Sequence, residues 1–575
     1  MKKSNAQFKT CLGPSSKLPN VYWQAISTQQ LRHYHSFIAL PPATDVTIRG
    51  PESYRYVRQE DVLWSSLHAG VLTTGKLSQA LGLREPHVAQ RISAPKVVNS
   101  VKEAYVHLLQ PPWFNPNYTE TSGKEGDACE FNERLRIRYN SELIAQHDQL
   151  SKEGESESDK RRVSELLGLR GTTAIRLTWG TIQEPSSLHI LMQMFPSATL
   201  EEVGMFNVKA SDLPTQNLGF GSSELPSLGA SPDAVISHRL PIFATDLQEG
   251  REMIDHMMSG GFRSPLMSYT STSVEAGPEA GVTTSHHSLG AWLGSQVVGN
   301  MTFSEGSQVG STAWCVAEAV LKRALSRVTS KGIETSDLMG SNSQGGADSV
   351  VLNRVEAAQG TTTRVQAKIV SLQTTWSESV SHLATKLLAS RDNLVELRRA
   401  ATHDSQNMAA LDPVLWMDVR EVVEVKNHSP FAFKGQRKAK KGRLHLEYRI
   451  ADPGPMQSLR PIWMPQLQMH CLASGAASVL LLTRSATKGV RLFRVYRDTP
   501  YIQLMLTCLR EFQTRAVLQK VEPTTDFYQN CHWYPEIIER TVQLAQEAQL
   551  VAQVDSRSVK LPVHADDNAF WNLNR

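Results

Sequence analysis

The sequence predicts an α/β (α+β) chain, on three observations. Short runs rich in β-branched residues, VREVVEVKN at Val419 to Asn427 above all, have the composition of sheet strands. Amphipathic stretches with helical spacing stand on either side of them. Between the two strand-bearing parts lies a long segment of different character, rich in Gly, Ser and Thr and then helical. With 575 residues, 40% of them hydrophobic, there is room for roughly three domains or for one core carrying large additions. A single small fold and a disordered chain are both excluded.

Val62 to Leu83 has the pattern of a helix, a short Gly/Thr turn and a second amphipathic helix. Ser100 to Leu109 is a helix stopped by Pro111-Pro112. Ser122 to Arg162 is polar and charge-rich, which suits a solvated helix or loop. The chain turns apolar again from Ser164. Leu188 to Val208 suits a helix followed by a strand, and LGASPDAVI, Leu228 to Ile236, one short strand. Ser259 to Ser311 is expected to be loop or disordered. Helices follow at Ala313 to Val328 and Arg364 to Ala401 across a Gly/Ser linker at Met339 to Ala347, with Trp314 and Trp376 as helix-packing residues. Beyond the strand Val419 to Asn427 come a basic loop, a helix over MPQLQMHCLASG, and strands at Ser478 to Thr483 and Val490 to Tyr496. A long helix near Pro535 to Val554 and a polar tail complete the pattern.

Sixty Lys and Arg against 56 Asp and Glu give a net charge of +4, which selects no partner class. The six cysteines form no CxxC pair. That argues against a structural zinc site and a secreted disulfide framework, and fits a reducing, intracellular compartment. The longest apolar run, Leu472 to Leu482, is about half of a membrane span, so no membrane partner is expected. The first acidic residue is Asp45, after Lys2, Lys3, Lys9, Lys17 and Arg32. A leader addressed to a mitochondrion or plastid is one reading of residues 1–60. Pro14, Pro19, Pro41 and Pro42 interrupt any amphipathic helix there, so a plain extension is the other. His33 with His35 and His286 with His287 lack acidic or Cys partners at ligand spacing and are read as surface residues.

The chemistry centres on the strand Val419 to Asn427. Side chains alternate along a strand, so Glu424 and Lys426 share one face. Such a pair suits metal-assisted phosphodiester hydrolysis: the carboxylate holds Mg²⁺ or Mn²⁺, and the ammonium orients water and counters growing negative charge. An exposed ion pair is the plain alternative. A metal site needs another carboxylate, and Asp418, on the same face, is roughly 20 Å away along the strand. The partner must come from elsewhere, and Asp233 in SPDAVI is the candidate, with a turn residue after Pro232 as its alternative.

Trp179-Gly180-x-x-x-Glu184, Ser231-Pro232-Asp233, Glu424-x-Lys426 and Gln466-x-Gln468, in that order, resemble the phage lambda-type exonucleases. These YqaJ-like viral recombinases are a branch of the PD-(D/E)xK nuclease superfamily. Trp64-x-x-x-His68-x-Gly70-x-x-Thr73-Thr74-Gly75 is similar to the family's N-terminal segment. The resemblance spans about half the chain. It implies a restriction-endonuclease-like mixed sheet flanked by helices and metal-dependent degradation of duplex DNA ends, in recombination or repair.

By that resemblance Asp233 and Glu424 would hold the metal with the main-chain carbonyl of Val425. Lys426 would activate water, Glu184 would complete the acidic cluster, and Gln466 would order the site or contact DNA. Ser231 and His68 would face a 5′-phosphate and Thr73 would contact DNA; the family has Arg where His68 stands and Ser where Gly75 stands, which argues against strict 5′-phosphate recognition. Trp463 replaces the family's Tyr before the Gln pair. The resemblance also implies an option of ring-shaped homo-oligomers and of a single-strand annealing partner.

The core is then split, 61–239 and 412–555, by an insertion at 240–411 hung from a hairpin tip, where added length costs only a logarithmic entropy term. Residues 556–575 form a C-terminal tail. After the lysine strand, Lys434, Arg437, Lys438, Lys440, Lys441 and Arg443 cluster beside Phe431 and Phe433. The cluster is read as a phosphate-contacting loop, with a solvated loop or a nuclear address as rivals. The rival functions are a non-catalytic DNA-binding or assembly protein on a decayed nuclease fold, and an endonuclease or RNA-handling member of the same superfamily.

Overall fold

The computed structural model describes residues 24–110 and 157–258, with short breaks within 43–66 and 209–219, together with 308–328, 375–387, 415–438, 444–555 and Leu561. Residues 1–23 of the leader, residues 111–156, the Gly/Ser-rich stretch at 259–307, the linker at 339–347 and the tail at 556–575 lie outside the described residues, apart from Leu561.

Twelve strands are described: β1 (Phe37–Ile38), β2 (Leu72–Thr73), β3 (Thr199–Glu201), β4 (Phe206–Asn207), β5 (Leu228–Ala230), β6 (Ala234–Ile242), β7 (Leu415–His428), β8 (Phe431–Lys438), β9 (Leu444–Ile450), β10 (Ser478–Ser485), β11 (Gly489–Tyr496) and β12 (Gln549–Val554). Seven form one mixed sheet in the order β1-β3-β6-β7-β10-β11-β12. β7 is antiparallel to β6 and parallel to β10. A small sheet, β2-β5-β4, and the hairpin β8-β9 stand beside it.

Alternation along β7 explains how the sheet is covered. Val422 joins a core with Val479, Leu481 and Leu467, formed with the helices Thr74–Ala80, Met464–Ser474, Thr499–Phe512 and Tyr534–Gln546. Val423 and Val425 face the other way, into a core with Leu480, Leu482 and the helices Glu157–Met194, Ala244–Met258, Gln308–Ser326 and 376–387. The result is a central sheet with helices on both faces. Three of those helices fall between β6 and β7, so the described part of the segment expected as an insertion contributes directly to the second core. Trp376 is buried in that core and Trp314 packs against it.

Leu480 is fully buried at the centre of the sheet. Leu480→Ala is expected to lower stability by about 2–5 kcal/mol, read from the urea midpoint. A loss below about 1 kcal/mol would show that this layer is not closely packed.

Several boundaries differ from the sequence reading, each for a local reason. LGASPDAVI is two strands, because Pro232 has no N–H to continue a ladder. The break places Asp233 immediately before β6. Among the described residues, the pattern at Val62 to Leu83 yields one helix, Thr74–Ala80; its expected Gly/Thr turn is partly strand, Leu72–Thr73. The final helix stops at Gln546, and QLVAQV, with period two, pairs with β11 as β12. The helix Thr499–Phe512, absent from the sequence reading, begins at Asp498, whose side chain accepts from the Tyr501 N–H at 2.7 Å. No helix among the described residues is long and apolar enough to cross a membrane.

Candidate active site

β6 and β7 pair from Ile242↔Leu415 to Ala234↔Val423. The next position in that register sets Asp233 opposite Glu424. The pairing is extended by two bonds: the Asp233 N–H donates to the Val423 carbonyl at 3.1 Å, and the Val425 N–H donates to Asp233 Oδ2 at 2.5 Å. Cross-strand neighbours have Cβ atoms about 5 Å apart, so two carboxylates far apart in sequence become direct neighbours. Val425 directs its carbonyl to the same edge as its N–H, past the last ladder pair. Thus all three groups expected to hold a metal converge at one strand end, and the chain between β6 and β7 replaces a hairpin turn.

Glu424 is buried, 3% exposed, yet flanked by donors. Lys426 Nζ forms an ion pair with its Oε1, and Gln466 Nε2 donates to the same oxygen at 2.7 Å. His470 Nε2 lies 3.0 Å from Oε2, but at an angle that leaves Oε2 without a proper hydrogen bond. Burial pushes the carboxyl up; the Lys426 charge and the close His470 outweigh it and hold Glu424 down at about 2. Asp233 goes the other way. Burial, then the negative charges of Glu424 and Glu184, raise it well above the usual Asp value, against a smaller pull from Lys426. For Lys426 burial lowers the ammonium, but Glu424 and Asp233 raise it overall, so it is a cation at neutral pH. Its Nζ also stands 5.5 Å from the centre of the Trp463 ring.

Glu184 comes from the helix Glu157–Met194, which is tied to the sheet by polar contacts. Ser187 Oγ donates to Asn427 Oδ1 at 2.7 Å, and Asn427 Nδ2 to the Gly180 carbonyl at 3.2 Å. These bring Glu184 near enough to act on the charges of Asp233 and Lys426. Among the described residues no three His, Cys, Asp or Glu side chains stand together as a ready cage for an ion. Mg²⁺ commonly uses one or two carboxylates and keeps its other positions for water and phosphate. Two adjacent carboxylates, one with an orphaned buried oxygen and the other resisting ionisation beside like charges, are a donor set that suits such a cation.

The remaining expected residues divide. His68 Nε2 is 3.4 Å from Ser231 Oγ, and the His68 ring stands edge-on to Trp64 at 4.1 Å. Thr73 pairs with Gly229, two residues before Ser231. These three therefore gather beside Asp233. Gln466 sits on Glu424, whereas Gln468 is fully buried on the far side of its helix, bonded to the Tyr496 carbonyl and the Asp498 N–H.

The basic loop is not a loop: Phe431–Lys438 and Leu444–Ile450 form the hairpin β8-β9. The alternating FAFKGQRK and LHLEYRI segments can satisfy each other's backbone, which a solvated loop cannot. Lys434 is the extra, exposed residue of a bulge between Phe433 and Gly435. Arg437 and Lys438 fall on β8; Lys440, Lys441 and Arg443 lie outside the described residues. Phe431 is buried edge-on against Trp179, so it is a core residue rather than a base-stacking one. His33 and His35 are exposed, and the pair His286-His287 lies outside the described residues.

Sequence reasoning missed His470. The signal was present, since positions four apart on a helix share a face and His470 follows Gln466 by four. It also missed the Asn427 tie, for which no local pattern exists. No family model matches the chain, and no curated protein or solved structure does either. The fold and site define a mixed-sheet α/β protein with a buried carboxylate–lysine centre at one strand end.

Proposed function

We propose that this chain is a metal-dependent deoxyribonuclease that hydrolyses phosphodiester bonds, acting on duplex DNA ends. The observation that carries the reading is the placement of Asp233 opposite Glu424, with Lys426 on the same face and paired to Glu424. Asp233, Glu424 and the Val425 carbonyl would hold Mg²⁺ or Mn²⁺, which would supply charge neutralisation at the phosphate and its attacking water.

The chain's own groups do the rest. Lys426, a cation at neutral pH, is no general base; it orients water by donating an N–H to the water oxygen and offsets the charge that grows on phosphate oxygens. Water oxygen bonds to phosphorus and gives up a proton to solvent, the ester P–O bond breaks, and solvent protonates the departing oxygen. Gln466 and Lys426 fix the Glu424 carboxylate so that it need not reorganise. His68, Ser231 and Thr73 line the adjoining edge, where a strand terminus would lie.

The test uses the full chain with end-labelled linear duplex and with closed circular DNA, each with Mg²⁺ or with chelator. Loss of linear duplex from its ends only with metal is expected, and Asp233→Asn should abolish it. Cutting of the closed circle would make the enzyme an endonuclease. Metal-independent binding with no cleavage of either DNA would leave a non-catalytic DNA-binding protein and remove the enzyme reading.

A further inference from the structure

A second cation near this end of the sheet is not used by that chemistry. Arg484 is the last residue but one of β10, paired with Asn427 of β7 and Val490 of β11. It shares a face with Leu480 and Leu482, the face under the helix Glu157–Met194 and opposite Glu424 and Lys426. Arg484 is 9% exposed. Its Nη1 donates to Gln183 Oε1 at 3.0 Å, and among the described residues no carboxylate pairs with it. Buried charges are ordinarily paired, because desolvation is otherwise uncompensated. The contrast within this sheet is Arg494, which is fully buried but makes two bonds to Glu421. Burial draws the Arg484 guanidinium down to about 10, so it is still a cation at neutral pH. Its Nε and Nη2 have no acceptor among the described residues, and neither is sealed from solvent.

We infer that Arg484 is a receptor for a phosphate oxyanion, held at Nη1 by Gln183 and offering Nε and Nη2 to two oxygens of one phosphate. That side-on pair matches the spacing of phosphate oxygens, and a guanidinium gives up its hydration more readily than an ammonium. The phosphate is not the scissile one. Arg484 lies one residue beyond Thr483, the partner of Lys426, and on the other face, so a strand passing round the ends of β7 and β10 would meet both cations. A nucleic-acid backbone and a free phosphate share this chemistry. Only the first source rests on the proposed nuclease reading.

The experiment has two arms on the full chain, with chelator present so that no DNA is cut. Anisotropy of a labelled duplex is measured across a salt series for wild type, Arg484→Gln and Arg484→Lys. Thermal midpoints are measured with and without inorganic phosphate at fixed ionic strength. If the backbone is the source, the slope of log K against log salt becomes shallower by about 0.9 in Arg484→Gln, equally for any sequence. Arg484→Lys should retain the slope but bind more weakly, having lost the fork.

If free phosphate is the source, it raises the wild-type midpoint and does not raise that of Arg484→Gln. Should Arg484→Gln fail to fold, Arg484→Lys carries the test, with weaker duplex binding or a reduced phosphate response expected. Unchanged salt slope, affinity and phosphate response in the folded variants overturns the inference, as does a wild type that responds to neither. A wild type that binds no DNA, yet is stabilised by phosphate through Arg484, removes the nuclease reading and leaves this one standing.

Discussion

Lys426→Ala is expected to lower the rate of metal-dependent DNA cleavage by about 10²–10³, the usual effect of removing one preorganised stabiliser of transition-state charge. Lys426 pairs with Glu424 and is held charged by Glu424 and Asp233. Its loss removes positive charge where negative charge grows, while leaving Asp233 opposite Glu424. Lys426 would be one of several cations met by a bound strand, so duplex affinity should change by only a few-fold. Arg at this position keeps the charge but not the compact ammonium on its four-carbon stem, and should restore little of the rate. The measurement is single-turnover cleavage of end-labelled duplex at saturating Mg²⁺, with circular dichroism to confirm the fold. A Lys426→Ala protein retaining a tenth or more of the wild-type rate would remove Lys426 from the chemistry. With Asp233→Asn equally active, the site itself would be wrong.

The second large effect is on stability and falls on the opposite face of β7. Glu421 and Arg494 are both fully buried. Arg494 Nε and Nη2 donate to the two oxygens of Glu421 at 2.7 and 3.0 Å, Ser478 Oγ donates at 2.6 Å, and His238 Nε2 lies at 2.9 Å. The same guanidinium donates from Nη1 to the Leu325 carbonyl at 3.0 Å, at the end of the helix Gln308–Ser326. Arg494→Leu leaves a buried carboxylate uncompensated and should cost about 3–5 kcal/mol in urea unfolding. Glu421→Leu with Arg494→Leu should recover much of that loss, since an apolar pair of similar volume removes the stranded charge.

The acid limb gives a second readout. Burial pushes Glu421 up, but Arg494 and His238 hold it down at about 2, below its ordinary 4.5. A depressed carboxyl stabilises fully above its unfolded value, and that stability is lost as pH falls from about 4.5 through about 2. Wild type should therefore weaken over that window, and the double variant less so. Equal acid sensitivity in the two proteins would show that this pair does not govern the limb.

Legibility differed between the two strands that build the site. β7 announced itself, because VREVVEVKN combines β-branched residues with alternation, and Glu424 and Lys426 on one face follow from the period of two. Asp233 was ambiguous in sequence, since Asp after Pro suits a turn and the same residue was the candidate partner of Glu424 in a metal site. Ser231-Pro232-Asp233 is the break between β5 and β6, and that break frees the Asp233 carboxylate to reach the Val425 N–H. The hairpin β8-β9 was hidden because Lys and Arg runs suggest solvated loops, while pairing depends on the partner segment. The helix Thr499–Phe512 carried readable signals in Asp498 and Pro500 that were passed over.

The sequence alone therefore determined the local facts: which residues share a strand face, where proline stops a ladder, and which carboxylate–lysine pair has the chemistry to be tested. These depend on backbone periodicity and covalent constraint, which act over a few residues. Only the tertiary structure decided that Asp233 faces Glu424, that His470 and Gln466 close over it, and that Arg494 and Arg484 are buried, one paired and one not. Those facts arise from register and burial between segments far apart in the chain. Desolvation strengthens electrostatic interactions only after packing has excluded water, so the sequence names the charges while the fold sets what each is worth.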